Sequence, residues 1–310
     1  MQTDRPTLGI ALMLGFCVVA PFADSLAKLI GDRVPILQLL VARFGIQAFL
    51  LYPLARRAGQ PLWWTPRINR LVWARTALHI LGIGMMFLAL RYLPLADAIA
   101  IAFVMPFILL FLGWWLLRET VGGRRIGAAL VGFIGTLMVI QPSFEAVGAP
   151  ALLPLGVAVV FALFMLVTRR IARATDPIAM QATSGLMALA LLLPPALLLA
   201  PFGVPELGFV EPPVTVAGLL VALGVLGTLG HLLMTWSLRF APASTLAPMQ
   251  YLEIPVAAVF GWLIFSDFPN GLALTGICVT VAAGLYVIER ERRAARRTAP
   301  PSPPPAPPAV

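Results

Sequence analysis

The chain has 310 residues, of which 60% are hydrophobic and only 11% charged, with a mean hydropathy of +0.94. Soluble domains carry about 25% charged residues, so a water-soluble globule is excluded. The net charge of +9 (22 bases against 13 acids) does not point to nucleic acid, because the bases sit in short links between apolar runs, where membrane topology accounts for them.

Apolar runs bounded by Arg, Pro and Gly predict ten transmembrane helices, at roughly 8–30, 36–54, 72–91, 95–117, 125–140, 152–168, 178–199, 214–238, 243–265 and 271–288. A β-barrel would need alternating segments of about 10 residues, and these runs do not alternate. Leu8–Ile30 is long for a secretory leader and is read as a retained first span. The fifth and sixth runs are short for a hydrocarbon core of about 30 Å. With the N-terminus inside, 18 of the 22 bases fall on the cytoplasmic side, Arg75 among them. Lys28, Arg33, Arg43 and Arg91 remain outside or within spans. This alternation predicts ten spans with both termini cytoplasmic. Cys17 and Cys278 both lie inside apolar runs, so no disulfide framework is expected. Residues 290–310 read as a cytoplasmic tail: a basic juxtamembrane stretch able to attract anionic lipid, then the disordered, extended APPSPPPAPPAV.

A duplication is visible by eye. LRYLPLADAIAIAFVMPFILLFLGWWLLRE from Leu90 aligns with LRFAPASTLAPMQYLEIPVAAVFGWLIFSD from Leu238. Arg91 pairs with Arg239, Pro94 with Pro242, Gly113 with Gly261, Trp114 with Trp262 and Glu119 with Asp267, all at one offset. After one inserted residue, Pro106 pairs with Pro255, Gly127 with Gly276 and Gly135 with Gly284. Residues 1–142 and 150–289 therefore form two repeats of five spans. Five is odd, so the second copy is expected upside down relative to the first, an architecture of alternating-access carriers. A duplicated bundle without transport is the plainer alternative.

These residues resemble the drug/metabolite transporter superfamily, EamA type. The resemblance rests on ALRYLPLADA with Pro106 and the following Arg-Glu, on APMQYLEIPVAAVFGWLIFSDFP, and on the Gly276–Gly284 helix ending GLYVIERE. The stretch from Ala247 to Glu291 is similar to a bacterial subgroup with riboflavin and S-adenosylmethionine uptake carriers. The sequence departs in Asp267, where Glu is common, and in Glu253 standing before Ile254-Pro255. The resemblance implies an inner (plasma) membrane location and a small organic metabolite as cargo, with import and export both open.

Ionisable groups inside a span are expensive and normally face the bundle interior. Glu253 lies about ten residues into the ninth run, hence about 15 Å deep. It shares a face with Gln250, between Pro248 and Pro255, which remove backbone donors and free carbonyls. It is expected either to bind a proton, a cation or substrate, or to be a helix-packing carboxyl. Asp24 and Lys28 stand at i, i+4, a spacing that permits a salt bridge. Together with Arg43 they carry one excess positive charge, and with Asp97 they are expected to form a polar outer vestibule attractive to a carboxylate or phosphate, or else to neutralise one another. His79 and His231 are expected as core histidines with scope for a pH response, and two histidines alone do not make a metal site. Tyr251 and Trp236 could stack on a planar ring or simply pack, and the other tryptophans fit an aromatic belt.

No G-x-x-x-x-G-K-[ST], H-E-x-x-H or G-x-S-x-G occurs. Catalytic residues, metal ligands and cofactors are therefore not expected. The reading is a secondary transporter, open to proton coupling, for amphiphilic or aromatic metabolites. A structural or enzymatic membrane protein is the alternative. The expected partners are substrate and membrane lipid, not nucleic acid, and the sequence is compatible with a homo-oligomer.

Overall fold

The computed structural model describes residues 6–105, 107–108, 123–171, 174–199, 207–240 and 250–298. Ten α-helices run in order among them: α1 (Pro6–Ile30), α2 (Ile36–Arg57), α3 (Pro66–Tyr92), α4 (Leu95–Ala102), α5 (Gly123–Val147), α6 (Leu153–Ile171), α7 (Pro177–Leu199), α8 (Val214–Phe240), α9 (Glu253–Phe265) and α10 (Gly271–Thr298). A 3-10 turn, Ala149–Leu152, leads into α6, and no strand occurs among the described residues. Seven of the helical segments are long and apolar enough to cross a membrane.

The boundaries differ from the sequence reading where local chemistry outweighs hydropathy. α3 begins at Pro66, which fills the first helical turn where an N–H is dispensable. Arg75 therefore lies ten residues inside the helix and not at its edge. α5 reaches Val147, through Pro142, and the 3-10 turn extends α6, so both of the short runs gain length. The last helix continues through the basic stretch to Thr298, so that part of the tail is helical. Residues 299–310, with the Pro-rich end, lie outside the described residues.

Two of the predicted runs are interrupted: the fourth, expected to be continuous, and the ninth, whose prolines point to a weakened ladder. α4 ends at Ala102, and Phe103 and Val104 form a turn ahead of Pro106, whose ring cannot donate to the helical ladder. The ninth run turns at Tyr251 and Leu252, and α9 starts at Glu253 with Pro255 in its first turn. Glu253 is thus the first residue of a helix, and the stretch before Gln250 lies outside the described residues, Pro248 included.

Packing follows a pairing rule. α1 lies along α8 and α3 along α6, while α2 packs on α7, α4 on α9 and α5 on α10. Exchanging every helix for the one five places away turns α1–α8 into α6–α3 and returns each of the other three pairs to itself. The α5–α10 crossing is close because Gly135 and Gly276 meet there. A Cβ at Gly135 would lie 2.9 Å from the Gly276 carbonyl oxygen. One apolar core joins α4, α5, α9 and α10 around Leu95, Ile101, Val139 and Ile254. A second joins α1, α2, α3, α7 and α8 around Ile30, Leu39, Phe44 and Leu223. The outer surface is apolar as well: Phe49 is 79% exposed and Val214 89%. Such a surface suits hydrocarbon and not water.

Candidate functional site

Between these packed pairs lies a cavity of about 140 Å³, walled by α1, α3, α6 and α8 and lined also by residues of the two broken segments. Four phenylalanines (Phe16, Phe87, Phe103, Phe161) and four methionines (Met86, Met105, Met165, Met234) are among its apolar lining. Its polar groups are Asp24 from α1, Arg43 from α2, His231 from α8, and Gln250 and Glu253 beside the second break. Asp24, Arg43, His231, Gln250 and Glu253, distant in sequence, thus face one space.

The two breaks meet at this cavity. In the sequence duplication Phe103 is the counterpart of Tyr251, Ala102 of Gln250 and Met105 of Glu253. The rings of Phe103 and Tyr251 touch, with centroids 5.4 Å apart and planes at 52°, while the other two counterpart pairs line the cavity. Turns at equivalent points free backbone groups from both helices in one place, a feature of substrate sites in broken membrane helices.

Arg43 is only 2% exposed. It donates from Nη1 to Gln47 Oε1 at 2.9 Å and from Nη2 to the Gly227 carbonyl at 2.7 Å. Gly227 makes this possible, since a Cβ there would collide with the guanidinium. Gln47 Nε2 continues the chain to the Gln181 carbonyl at 2.7 Å. Arg75 Nη2 donates to Gln181 Oε1 at 3.4 Å, Nη1 to Ser184 Oγ at 2.9 Å and Nε to Thr168 Oγ1 at 3.0 Å. The Arg75 guanidinium also lies 4.6 Å from the centre of the Phe164 ring. His79 and His231 sit beside this network with their Nε2 atoms 3.1 Å apart. One ring must donate and the other accept, which fixes opposite tautomers on neutral imidazoles.

Sequence reasoning missed Arg75, Gln47 and Gln181. Assigning Arg75 to a cytoplasmic link is corrected by its complete burial among α3, α6 and α7. The signal was present: Arg75 stands four residues before His79, and Gln47 four residues after Arg43, so each pair shares a helix face.

The expected outer vestibule divides in two. Asp24 and Arg43 belong to the cavity. Lys28 turns away from Asp24 and donates to the carbonyls of Leu90 at 3.2 Å and Leu93 at 2.6 Å, at the C-terminal end of α3. The i, i+4 salt bridge does not form, because those unsatisfied carbonyls and the negative end of the helix dipole attract the ammonium. Asp97 stands near Lys28 and accepts a hydrogen bond from Ser143 Oγ at 3.1 Å. Tyr251 is only 2% exposed, its ring laid on Gly284. His79 lies behind His231, and Trp236 packs with Leu51, Leu62 and Leu232. Lys28, Tyr251, His79 and Trp236 therefore stand off the cavity wall. Cys17 is buried and Cys278 exposed, and the two do not form a disulfide. Trp114 and Trp115 lie outside the described residues.

Comparison with known proteins adds a family. Residues 7–141 and 149–289 each match the profile of the EamA-like transporter family. A riboflavin transporter of Brucella anthropi is 26% identical over 92% of this chain and 99% of its own. An S-adenosylmethionine uptake transporter of Rickettsia felis is 26% identical over 93% of this chain and 95% of its own. A solved crystal structure superposes with a TM-score of 0.62 at 19% identity, over 92% of this chain and 98% of the other, so the two share a fold.

Proposed function

The chain belongs to the EamA-like transporter family, and from that premise we propose that it is a secondary transporter moving a small organic metabolite by alternating access. The observation that carries this reading is the central cavity, lined by corresponding helices of both halves and floored by two equivalent helix breaks in ring contact. In this reading residues 1–142 and 150–289 are inverted repeats. The two successive family matches, the sequence offset that holds to within one residue and the helix pairing preserved under exchange of the halves all support the arrangement. Ten spans then place both termini in the cytoplasm of a bacterium, and the chain in its inner membrane.

Glu253, Asp24, Arg43, Gln250 and His231 hold the cargo, with Glu253 as the group that takes up a proton if one is coupled. His79 orients His231 through the shared Nε2 contact. Tyr251 holds the second break against Phe103 and Gly284, and Lys28 ties α1 to the end of α3.

The test is flux into proteoliposomes, with riboflavin, S-adenosylmethionine, amino acids and nucleosides as candidate cargo. Saturable uptake of one of them, accelerated when the same compound is loaded on the opposite side, is the expected result. Flux that rises linearly with concentration without such acceleration, or no flux above empty vesicles for the whole panel, would overturn the reading.

A further inference from the structure

The cavity has an unequal charge inventory. Two carboxylates, Asp24 and Glu253, line it against one guanidinium, Arg43. Asp24 lies within electrostatic reach of Arg43, but among the described residues neither carboxylate makes a direct hydrogen bond or ion pair, whereas Arg43 donates to Gln47 and the Gly227 carbonyl. Lys28, the second cation that the sequence placed nearby, is withdrawn to the carbonyls of Leu90 and Leu93. A further group lacks a partner: His231 is 9% exposed and lines the cavity, and its Nδ1 has no hydrogen bond.

From this arrangement we propose that the cavity selects organic cations, bearing a quaternary or protonated nitrogen or another onium centre on an apolar or aromatic body. The proposal rests on the reading of this cavity as the carrier's binding site and adds the substrate class. A bound cation brings the charge that the two carboxylates lack. The Phe16, Phe87, Phe103 and Phe161 rings supply faces whose quadrupoles attract the same charge. The methionines let the apolar body vary in shape, because an unbranched thioether repacks readily. An anion finds the opposite: it meets two carboxylates, and the one guanidinium already has an N–H of each Nη engaged.

The test uses three small probes with one ring each: phenyltrimethylammonium, benzenesulfonate and neutral benzamide. Each is titrated by calorimetry into the purified full-length protein in lipid nanodiscs. We expect phenyltrimethylammonium to bind at least about tenfold more tightly than either of the others. Asp24→Asn and Glu253→Gln, which preserve side-chain shape, each weaken the cation about tenfold and leave benzamide unchanged. Ala20→Trp, which fills the cavity, abolishes binding of all the probes that bind the native chain. Benzenesulfonate or benzamide binding as tightly as the cation, and being lost in Ala20→Trp, overturns the cation class while leaving the cavity as the site. Binding of the cation that survives both Ala20→Trp and the carboxylate variants, or no binding of any probe, overturns the class and the cavity reading together.

Discussion

At the scale of single residues, Glu253 carries the sharpest consequences. It opens α9 and faces the cavity, where the N–H groups of a first helical turn favour a carboxylate nearby. If it takes up the coupled proton, Glu253→Gln inserts and folds as the native chain does but transports at a rate that no longer varies between pH 5.5 and about 8. Initial rates in proteoliposomes across that range decide the matter, and an unchanged profile makes Glu253 a packing residue. Gly227 gives a second, structural test. A methyl at this position collides with the Arg43 guanidinium and breaks its bond to the Gly227 carbonyl. Gly227→Ala should therefore cost about 1–3 kcal/mol in unfolding stability, read as a lowered midpoint in a denaturant or thermal titration. The presence of Glu253, Asp24 and Arg43 in apolar runs was readable in the sequence, because charge in a span stands out against its surroundings. Their common cavity was not readable, because it depends on how α1, α2, α8 and α9 pack. The expected vestibule divides for that reason: the carbonyls that capture Lys28 belong to the end of α3, a different helix.

Elements show a similar division. The sequence contained the helices and the duplication, since both are periodic features of a single string. The prolines around Glu253 pointed to a weakened ladder in the ninth run, but nothing marked the break at Phe103–Val104. Hydropathy continues through it, and Pro106 as a letter in the string does not tell a kink from a proline tolerated in a first turn. Repeat-equivalent positions also diverge once packed. Gly276 sits in the α5–α10 crossing, where a Cβ would lie 2.9 Å from Met138 and Val139 side-chain atoms. Its sequence counterpart Gly127 has nothing within 4 Å of the same hypothetical atom. Opposite outcomes are expected. Gly276→Val forces the helices apart and costs about 1–3 kcal/mol. Gly127→Ala gains roughly 0.5–1 kcal/mol, because alanine loses less backbone entropy in a helix. Unfolding of both variants in the same detergent, ranked against the native chain, checks the pair of signs, and equal effects would remove the distinction between a crossing and an open glycine.

For the whole molecule, the α1–α8 and α3–α6 pairs change places when the halves are exchanged. An alternating-access cycle built on inverted repeats needs the two pairs in different arrangements in its two states, so each pair must loosen once per turnover. Gly15 of α1 faces Leu233 of α8, with 3.4 Å from its hypothetical Cβ to Leu233 Cδ1. Gly82 of α3 faces Val160 of α6, with the same distance to Val160 Cγ1. Cysteine pairs at Gly15 with Leu233 and at Gly82 with Val160 can each be joined by a short bifunctional thiol reagent, in a chain with Cys17 and Cys278 replaced by alanine. Either cross-link alone should lower turnover at least about tenfold, since each halts the interconversion of the two states. A cleavable reagent restores it on reduction, which separates blocked motion from a damaged fold. Cross-linking the first pair alone, with transport unaffected, would mean that α1 and α8 move as one body and that the cycle does not exchange the halves. Inhibition by both cross-links, each reversible, is the outcome that the paired packing requires.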